Sequence, residues 1–311
     1  MRKRPTTPNE DTAGELCLLG PRQLENLLKW VSESSVDVDS DTRSKTVQRW
    51  REAAAVYREL ESSEPNAADH PEVRALASSV SRHAAKLAQT KGFRQAFDVV
   101  PVAFGLVELE KLVVSQYCVS LSTIHRLLAT HNGSLSALKI GQLCLPTHAR
   151  APDFKLVYQD ESEFVFTARD HDLRFLGAKL LNPAQLTELE LGGHPQAAVA
   201  LAVGASCNVI DVVRLGNRLV LNNGHHRAYA LRALGVTHVP CVIQVCSSAE
   251  ELALVANSEI VENSDMYFEL PRPPLLRDFD NPALTHVVKT QRLHRQVRVS
   301  FKVESHLFAL P

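Results

Sequence analysis

Asn223-Gly224-His225-His226-Arg227 is the stretch of this 311-residue sequence in which residue types and spacing come closest to chemistry. A valine- and leucine-rich run precedes it, and an amphipathic run, "AYALRALG", follows. In the order strand, glycine, helix, the glycine turns the backbone sharply and delivers amide groups to a helix start. That is an anion-binding arrangement. Arg227 adds a planar, permanently charged fork that can grip two oxygens of one phosphate. His225 and His226 can carry protons or act as neutral hydrogen-bonding partners near pH 7. Asn222 and Asn223 suit either ligand contact or a turn closed by their own side chains.

The stretch "NNGHHRAYALRALGVTHVPCVIQ" resembles the signature of the ParB and sulfiredoxin superfamily, in which a strand, a G-x-H/R-R turn and a helix hold nucleotide phosphates. Upstream, "VELEKLVVSQYCVSLSTIHRLL" resembles the opening strand and helix of that fold, with its "SQ" pair. The resemblance spans about residues 98 to 246, interrupted near 134–205. It implies an α/β (α+β) domain binding a nucleotide or another phosphate ligand at Asn223, Gly224, His225, His226 and Arg227. Departures from the pattern narrow the chemistry. Sulfiredoxins place a reactive cysteine directly after the glycine, where this chain has His225. Partition ParB proteins carry G-E-R-R followed by a helix-turn-helix, whereas this chain has His225 and His226 at the two middle positions and a proline-interrupted C-terminal region with a final strand, which argues against a DNA-segregation role. Free-serine kinases that resemble ParB write "DGHHR" or "DGHTR", and Asn223 stands where their aspartate would be. Phosphate transfer with Mg2+ would need an acidic group, and Glu108 or Glu110 on the upstream strand are the positional candidates, with His225, His226 and Glu108 as the catalytic set. Three readings follow: a nucleotide-dependent phosphohydrolase or phosphotransferase, a non-catalytic regulatory or adaptor protein of the same fold, and a nucleic-acid-binding ParB-like nuclease.

Other clusters carry less. "ARDHDLRF" gathers Asp170, His171, Asp172 and Arg174; the local run suits a helix cap better than a metal site. Arg174, among apolar residues, is expected to need a partner, and a bound phosphate is one. Cys241 and Cys246 point to opposite faces of an alternating strand, which argues against zinc. The basic run from Lys289 to Lys302 fits a charged edge strand better than a nucleic-acid surface. Lys plus Arg at 34 against Asp plus Glu at 35 leaves a net charge of -1, so no whole-molecule field favours nucleic acid or an anionic membrane. Six dispersed cysteines without a CxxC pair read as reduced, cytoplasmic thiols. No secretory leader is expected after "MRKRPTTPNEDTAGE", and the apolar stretch from Ala197 reads as a buried helix or helix-to-strand passage rather than a membrane span.

The elements that must position the turn follow from periodicity. A disordered tail is expected over 1–12 and a helical module over 13–95, which could contact a protein partner. Its helices are expected from Pro21, from Ser40, and from Pro71 to a stop at Gly92. The ParB/sulfiredoxin-like domain is expected over 96–247, with an insertion near 134–205. It would contain strands "DFKLVYQ" and "EFVFTA", a helix "DLRFLGAKLL" capped by Asp172, and a hairpin turning at Gly216-Asn217. Beyond it, over 248–311, a helix "SAEELALVANSEIVE", an irregular segment and the edge strand "RQVRVSFKV" complete the reading.

Overall fold

The structure is a computed structural model, and it describes residues 12–36, 40–129, 135–147, 154–160, 162–168, 173–182, 186, 196–205, 207–291 and 295–307. In chain order, strand β1 (Thr12–Leu18) leads to helices α1 (Leu24–Ser34) and α2 (Ser40–Ser63). Strand β2 (Val73–Arg74), helices α3 (Ser78–Ala88) and α4 (Lys91–Ala96) and strands β3 (Val102–Glu108), β4 (Val113–Val114) and β5 (Cys118–Ser120) come next. Helices α5 (Leu121–Ala129) and α6 (Ala137–Cys144) precede strands β6 (Phe154–Gln159), β7 (Glu163–Ala168), β8 (Leu173–Leu181) and β9 (Ala198–Ala205). Strands β10 (Asp211–Leu215) and β11 (Arg218–Asn223), helix α7 (His225–Ala233) and strand β12 (His238–Cys246) carry the central motif. Helices α8 (Ala249–Val255), α9 (Ser258–Glu262) and α10 (Ser264–Phe268), a 3-10 turn (Leu276–Asp280) and strands β13 (Thr285–Gln291) and β14 (Arg295–Ser300) finish the chain.

The mixture of helices and strands agrees with the expected α/β class, but its division into units falls elsewhere. One compact unit contains residues 1–147 and 208–292; the other contains 148–207 and 293–311. In the first, a six-stranded sheet runs β2-β3-β12-β10-β11-β4, and a three-stranded sheet runs β13-β1-β5. β10 lies parallel to β12 and antiparallel to β11, so the β11-α7-β12 passage returns the chain to the far side of β10. Helix α5 packs on α7, and α6 packs on α3 and β12.

The helices expected over 13–95 do not stand apart as a module. β1 sits between β13 and β5, pairing Leu16 with Val287 and with Val119, so the N-terminal residues share a sheet with the C-terminal ones. Long-range pairing of this kind leaves no local periodicity to read. The helix expected from Pro71 is replaced at its start by β2, whose Val73 and Arg74 pair with Val107 and Leu106. Nor does Gly92 end α3. It lies inside α4, which Thr90 caps by accepting the Phe93 N–H at 3.2 Å.

Three more expectations change. Leu173–Leu181 of "DLRFLGAKLL" form β8 rather than a helix, paired with β9 and bulged between Phe175 and Gly177, where Gly177 has φ 128°. In the apolar stretch from Ala197, Ala198–Ala205 are that partner strand, in place of the buried helix or helix-to-strand passage expected. "SAEELALVANSEIVE" breaks into α8 and α9 at Asn257: the Asn257 N–H donates to the Asn222 side chain at 2.8 Å, and its own side chain accepts the Ile260 N–H at 3.1 Å. Ser248 caps α8 as its spacing suggests, accepting the Glu251 N–H at 3.3 Å. The hairpin turns at Gly216, φ 61°, and β14 lies at the edge of the sheet β14-β7-β6, both as the pattern predicts.

Cysteine pairing also departs from expectation. The register of β1 with β5 sets Cys17 directly opposite Cys118, and the two form a disulfide across 101 residues of sequence. Distance along the chain hid the contact. Cys144, Cys241 and Cys246 are free thiols. Among the described residues, no helix is long and apolar enough to cross a membrane.

The segment read as irregular is held by charge. Arg272, fully buried, makes a bidentate pair with Asp278 at 2.6 and 2.9 Å and reaches Glu64 at 3.0 Å. A buried guanidinium is tolerated only when its donors are met in this way.

Candidate functional site

Gly224 is the hinge between β11 and α7, and two constraints require glycine there. Its φ is 97°, a left-handed conformation that costs a residue with a Cβ about 1–2 kcal/mol. A Cβ would also lie 2.7 Å from Ile210 Cγ1 and 3.1 Å from Ile210 Cα. Backbone therefore passes against backbone, and α7 starts immediately beyond. Ala228, Ala230 and Leu231 bury the helix, while Leu234, just past its end, is exposed. Arg232 anchors the outer face through Glu110 at 2.7 Å and Asp280 at 2.8 Å.

His225 is buried, and its ring Nε2 accepts the Gln116 N–H at 3.3 Å. Ser115 Oγ lies 3.4 Å from the same nitrogen and donates to the Leu221 carbonyl at 3.0 Å. Burial, and next the neighbouring charge of His226, push the His225 pKa down to about 3. The ring is thus a neutral acceptor at pH 7, fastening the turn before β5 to the start of α7. It is not placed to exchange protons near neutrality. His226 is half-buried beside it.

Arg227 directs its fork inward. Nη1 donates to the Leu143 carbonyl at 3.1 Å and the Asn208 carbonyl at 2.8 Å, while Nη2 donates to Asn208 Oδ1 at 2.7 Å. Leu143 is in the last turn of α6, where carbonyls lack intrahelical partners, and a cation there is well matched to the helix dipole. Asn223 works alongside, donating to the Val209 carbonyl at 2.8 Å and Asn208 Oδ1 at 3.3 Å. The Ile210 N–H closes on the Cys144 carbonyl at 2.8 Å.

These bonds share a topological meaning. The chain leaves the first unit after residue 147 and re-enters it at Asn208. Arg227 and Asn223 tie the departing stem, at Leu143, to the returning stem, at Asn208 and Val209. Asn222 fastens a third segment: it donates to Asp211 Oδ2 at 2.8 Å and to the Val255 carbonyl at 3.3 Å, and accepts the Asn257 N–H. Asp211, buried at the start of β10, also accepts from Gln244 at 2.9 Å.

Of the residues singled out in the sequence, Asn223, Gly224, His225, His226 and Arg227 share this one turn. Glu108 does not join them. It ends β3, three strands from β11 in the sheet order, which at about 4.8 Å per strand is roughly 14 Å of lateral separation. Its carboxylate accepts the Glu72 N–H at 2.9 Å. Glu110 is held by Arg232 and Arg277. Arg174 is exposed on β8 opposite Gly204, in the other unit, rather than on a helix among apolar residues. Asp170, His171 and Asp172 lie outside the described residues. Among the described residues no group of three His, Cys, Asp or Glu side chains gathers as a metal ion requires.

Sequence reasoning passed over Asp211, Asn208, Asn257 and the role of Ser115. Asp211 did leave a signal, a carboxylate opening an otherwise apolar strand, which must find donors if buried. Comparison with family models, with curated proteins and with solved structures finds no match to this chain. The side-chain geometry must therefore carry the functional argument. As it stands, the turn can lock segments together; acid–base work by His225 or Glu108 has no support in it.

Proposed function

We propose that this chain is a non-catalytic regulatory or adaptor protein built on a ParB/sulfiredoxin-like domain, in which the Gly224–Arg227 turn braces the stems of the segment 148–207. One observation carries the reading: the Arg227 guanidinium is engaged by two backbone carbonyls and an amide oxygen of the same chain. A phosphate at the turn would compete with those acceptors. The succession of β11, the left-handed Gly224 and α7, with the Ser115-Gln116 loop beside His225, supports the superfamily resemblance. Enzymatic phosphate transfer with Mg2+ finds less support, since Glu108 is remote from the turn and His225 is a buried neutral acceptor. A nuclease reading lacks a gathered set of metal ligands among the described residues.

The test is phosphate release from ATP, CTP and GTP with Mg2+ by the full-length wild-type chain and by His226→Gln. The proposal expects release no faster than the buffer blank in both. Turnover by the wild type that falls in His226→Gln would overturn it and restore the enzymatic reading.

A further inference from the structure

In the first unit, a cavity of about 280 Å3 lies along one face of α1, lined among others by Arg22, Asn26, Lys29, Trp30, Tyr117 and Met266. Arg22 is the lining residue whose charge is least well met. The guanidinium carbon lies 5.5 Å from the centroid of the Trp30 ring and 5.9 Å from that of Tyr117. Among the described residues the guanidinium makes no hydrogen bond and no ion pair. Its backbone is fixed, the carbonyl accepting the Trp50 indole N–H at 2.7 Å and the N–H donating to the Leu19 carbonyl at 3.2 Å. Burial disfavours the charge, with Tyr117 and Glu259 acting in the opposite direction.

Each wall is held in place. Tyr117 Oη donates to Met266 Sδ at 3.0 Å and lies 3.3 Å from Tyr267 Oη. Tyr117 precedes Cys118, whose disulfide to Cys17 joins β5 to β1, the strand that leads to Arg22. Glu259 and Glu33 also line the cavity; Glu259 Oε1 accepts from Tyr267 Oη at 2.9 Å and from Asn263 Nδ2 at 3.2 Å, and neither carboxylate forms an ion pair with Arg22. Two rings border the guanidinium, while its N–H groups, set along the edge of its plane, meet no acceptor among the described residues. An acceptor with two oxygens is what that edge fits.

We infer that this cavity binds a small oxyanion ligand, a carboxylate or a phosphate monoester carrying a flat apolar group. Arg22 takes the oxyanion in bidentate fashion, Lys29 adds charge at the rim, and the flat group lies against Trp30 and Met266. The positive end of α1, whose first turn borders the cavity, favours the same sign of ligand. The volume suits one ring and its anionic group, at the small end of ligand cavities. The cavity shares no lining residue with the Gly224–Arg227 turn, and the inference does not depend on the role given to that turn.

The experiment is a titration of the full chain with benzoate and with phenyl phosphate, followed by tryptophan fluorescence, Trp30 lining the cavity. Saturable quenching by one of the two, at millimolar concentration or below, is expected, and the responding compound identifies the oxyanion. Arg22→Gln should weaken that binding about tenfold or more, the loss expected for a charge-assisted pair. Lys29→Gln, at an exposed position, should weaken it about threefold. No saturable response to either compound overturns the proposal, as does equal affinity in wild type and a folded Arg22→Gln. If Arg22→Gln does not fold, unchanged binding in Lys29→Gln overturns it. None of these results bears on phosphate release from nucleotides, so this inference and the adaptor reading fail separately.

Discussion

Arg227 and Arg22 carry the same guanidinium into two different surroundings. At Arg227 the donors end on the Leu143 carbonyl and on both oxygens of Asn208, and the flanking Asn223 shares the task. At Arg22 the rings of Trp30 and Tyr117 border the guanidinium, while no oxygen among the described residues accepts from it. An arginine in the first turn of a helix that starts after a glycine is the expected place for an anion. Here the donors are committed at that place and uncommitted at the other. Motif and available charge have become separated, and the geometry of the donors tells them apart.

The comparison can be broken most forcefully at Gly224. Gly224→Ala forces a Cβ onto Ile210 in a left-handed backbone, and the combined strain and overlap should cost about 4 kcal/mol of stability, read from urea unfolding. A variant that unfolds at the wild-type midpoint would mean that the turn relaxes freely and braces nothing. Next is Arg227→Ala, which strips donors from partly buried carbonyls and should lower stability by about 2–3 kcal/mol. The same measurement on Arg22→Gln should give a loss of about 1 kcal/mol or less, since only ring contacts are removed. Equal losses at the two arginines would erase the distinction.

Acid sharpens the same contrast. His225 has a folded pKa of about 3 against an ordinary value of 6.5, so the unfolded chain takes up a proton first as pH falls. Its contribution is complete above pH 6.5 and is lost progressively between 6.5 and 3. Glu15 acts in the opposite sense. Burial raises its pKa from 4.5 to about 7, offset in part by Ser120, so its ionisation destabilises the fold as pH rises through that window. The two slopes oppose one another where they overlap. Glu15→Gln should therefore expose a steeper loss of stability on acidification from pH 6.5 to 5, and adding His225→Gln should flatten it. Unfolding midpoints that change identically with pH in both variants would contradict these assignments.

Much of the first unit's motif was legible because it is local. The succession of β11, Gly224 and α7, the hairpin at Gly216, and the capping of α8 by Ser248 are written in neighbouring residues. What the sequence concealed was pairing at a distance. Nothing near Cys17 announces Cys118, nothing near Val73 announces Val107, and the helix pattern over 249–262 breaks because Asn257 meets Asn222. β8 was hidden differently. Its run of Leu, Phe, Ala and Lys suits a helix, and pairing with β9 prevails over that local preference. The site shows the same split. The residues of the turn were identified, whereas their partners at Leu143 and Asn208 are some 84 and 19 residues away. The Arg22 cavity left no motif at all, being assembled from α1, the loop before β5 and the segment around Asn263.

The most direct test of the central claim is the thermal unfolding of wild type and Arg227→Ala, each alone and with ATP, CTP, GTP or inorganic phosphate in the presence of Mg2+. If the turn is an internal brace, the variant unfolds at a lower temperature without any ligand, and any ligand-dependent rise is the same in both proteins. A variant that unfolds with the wild type when alone, yet lacks a rise that nucleotide gives the wild type, would return Arg227 to the phosphate and contradict the account.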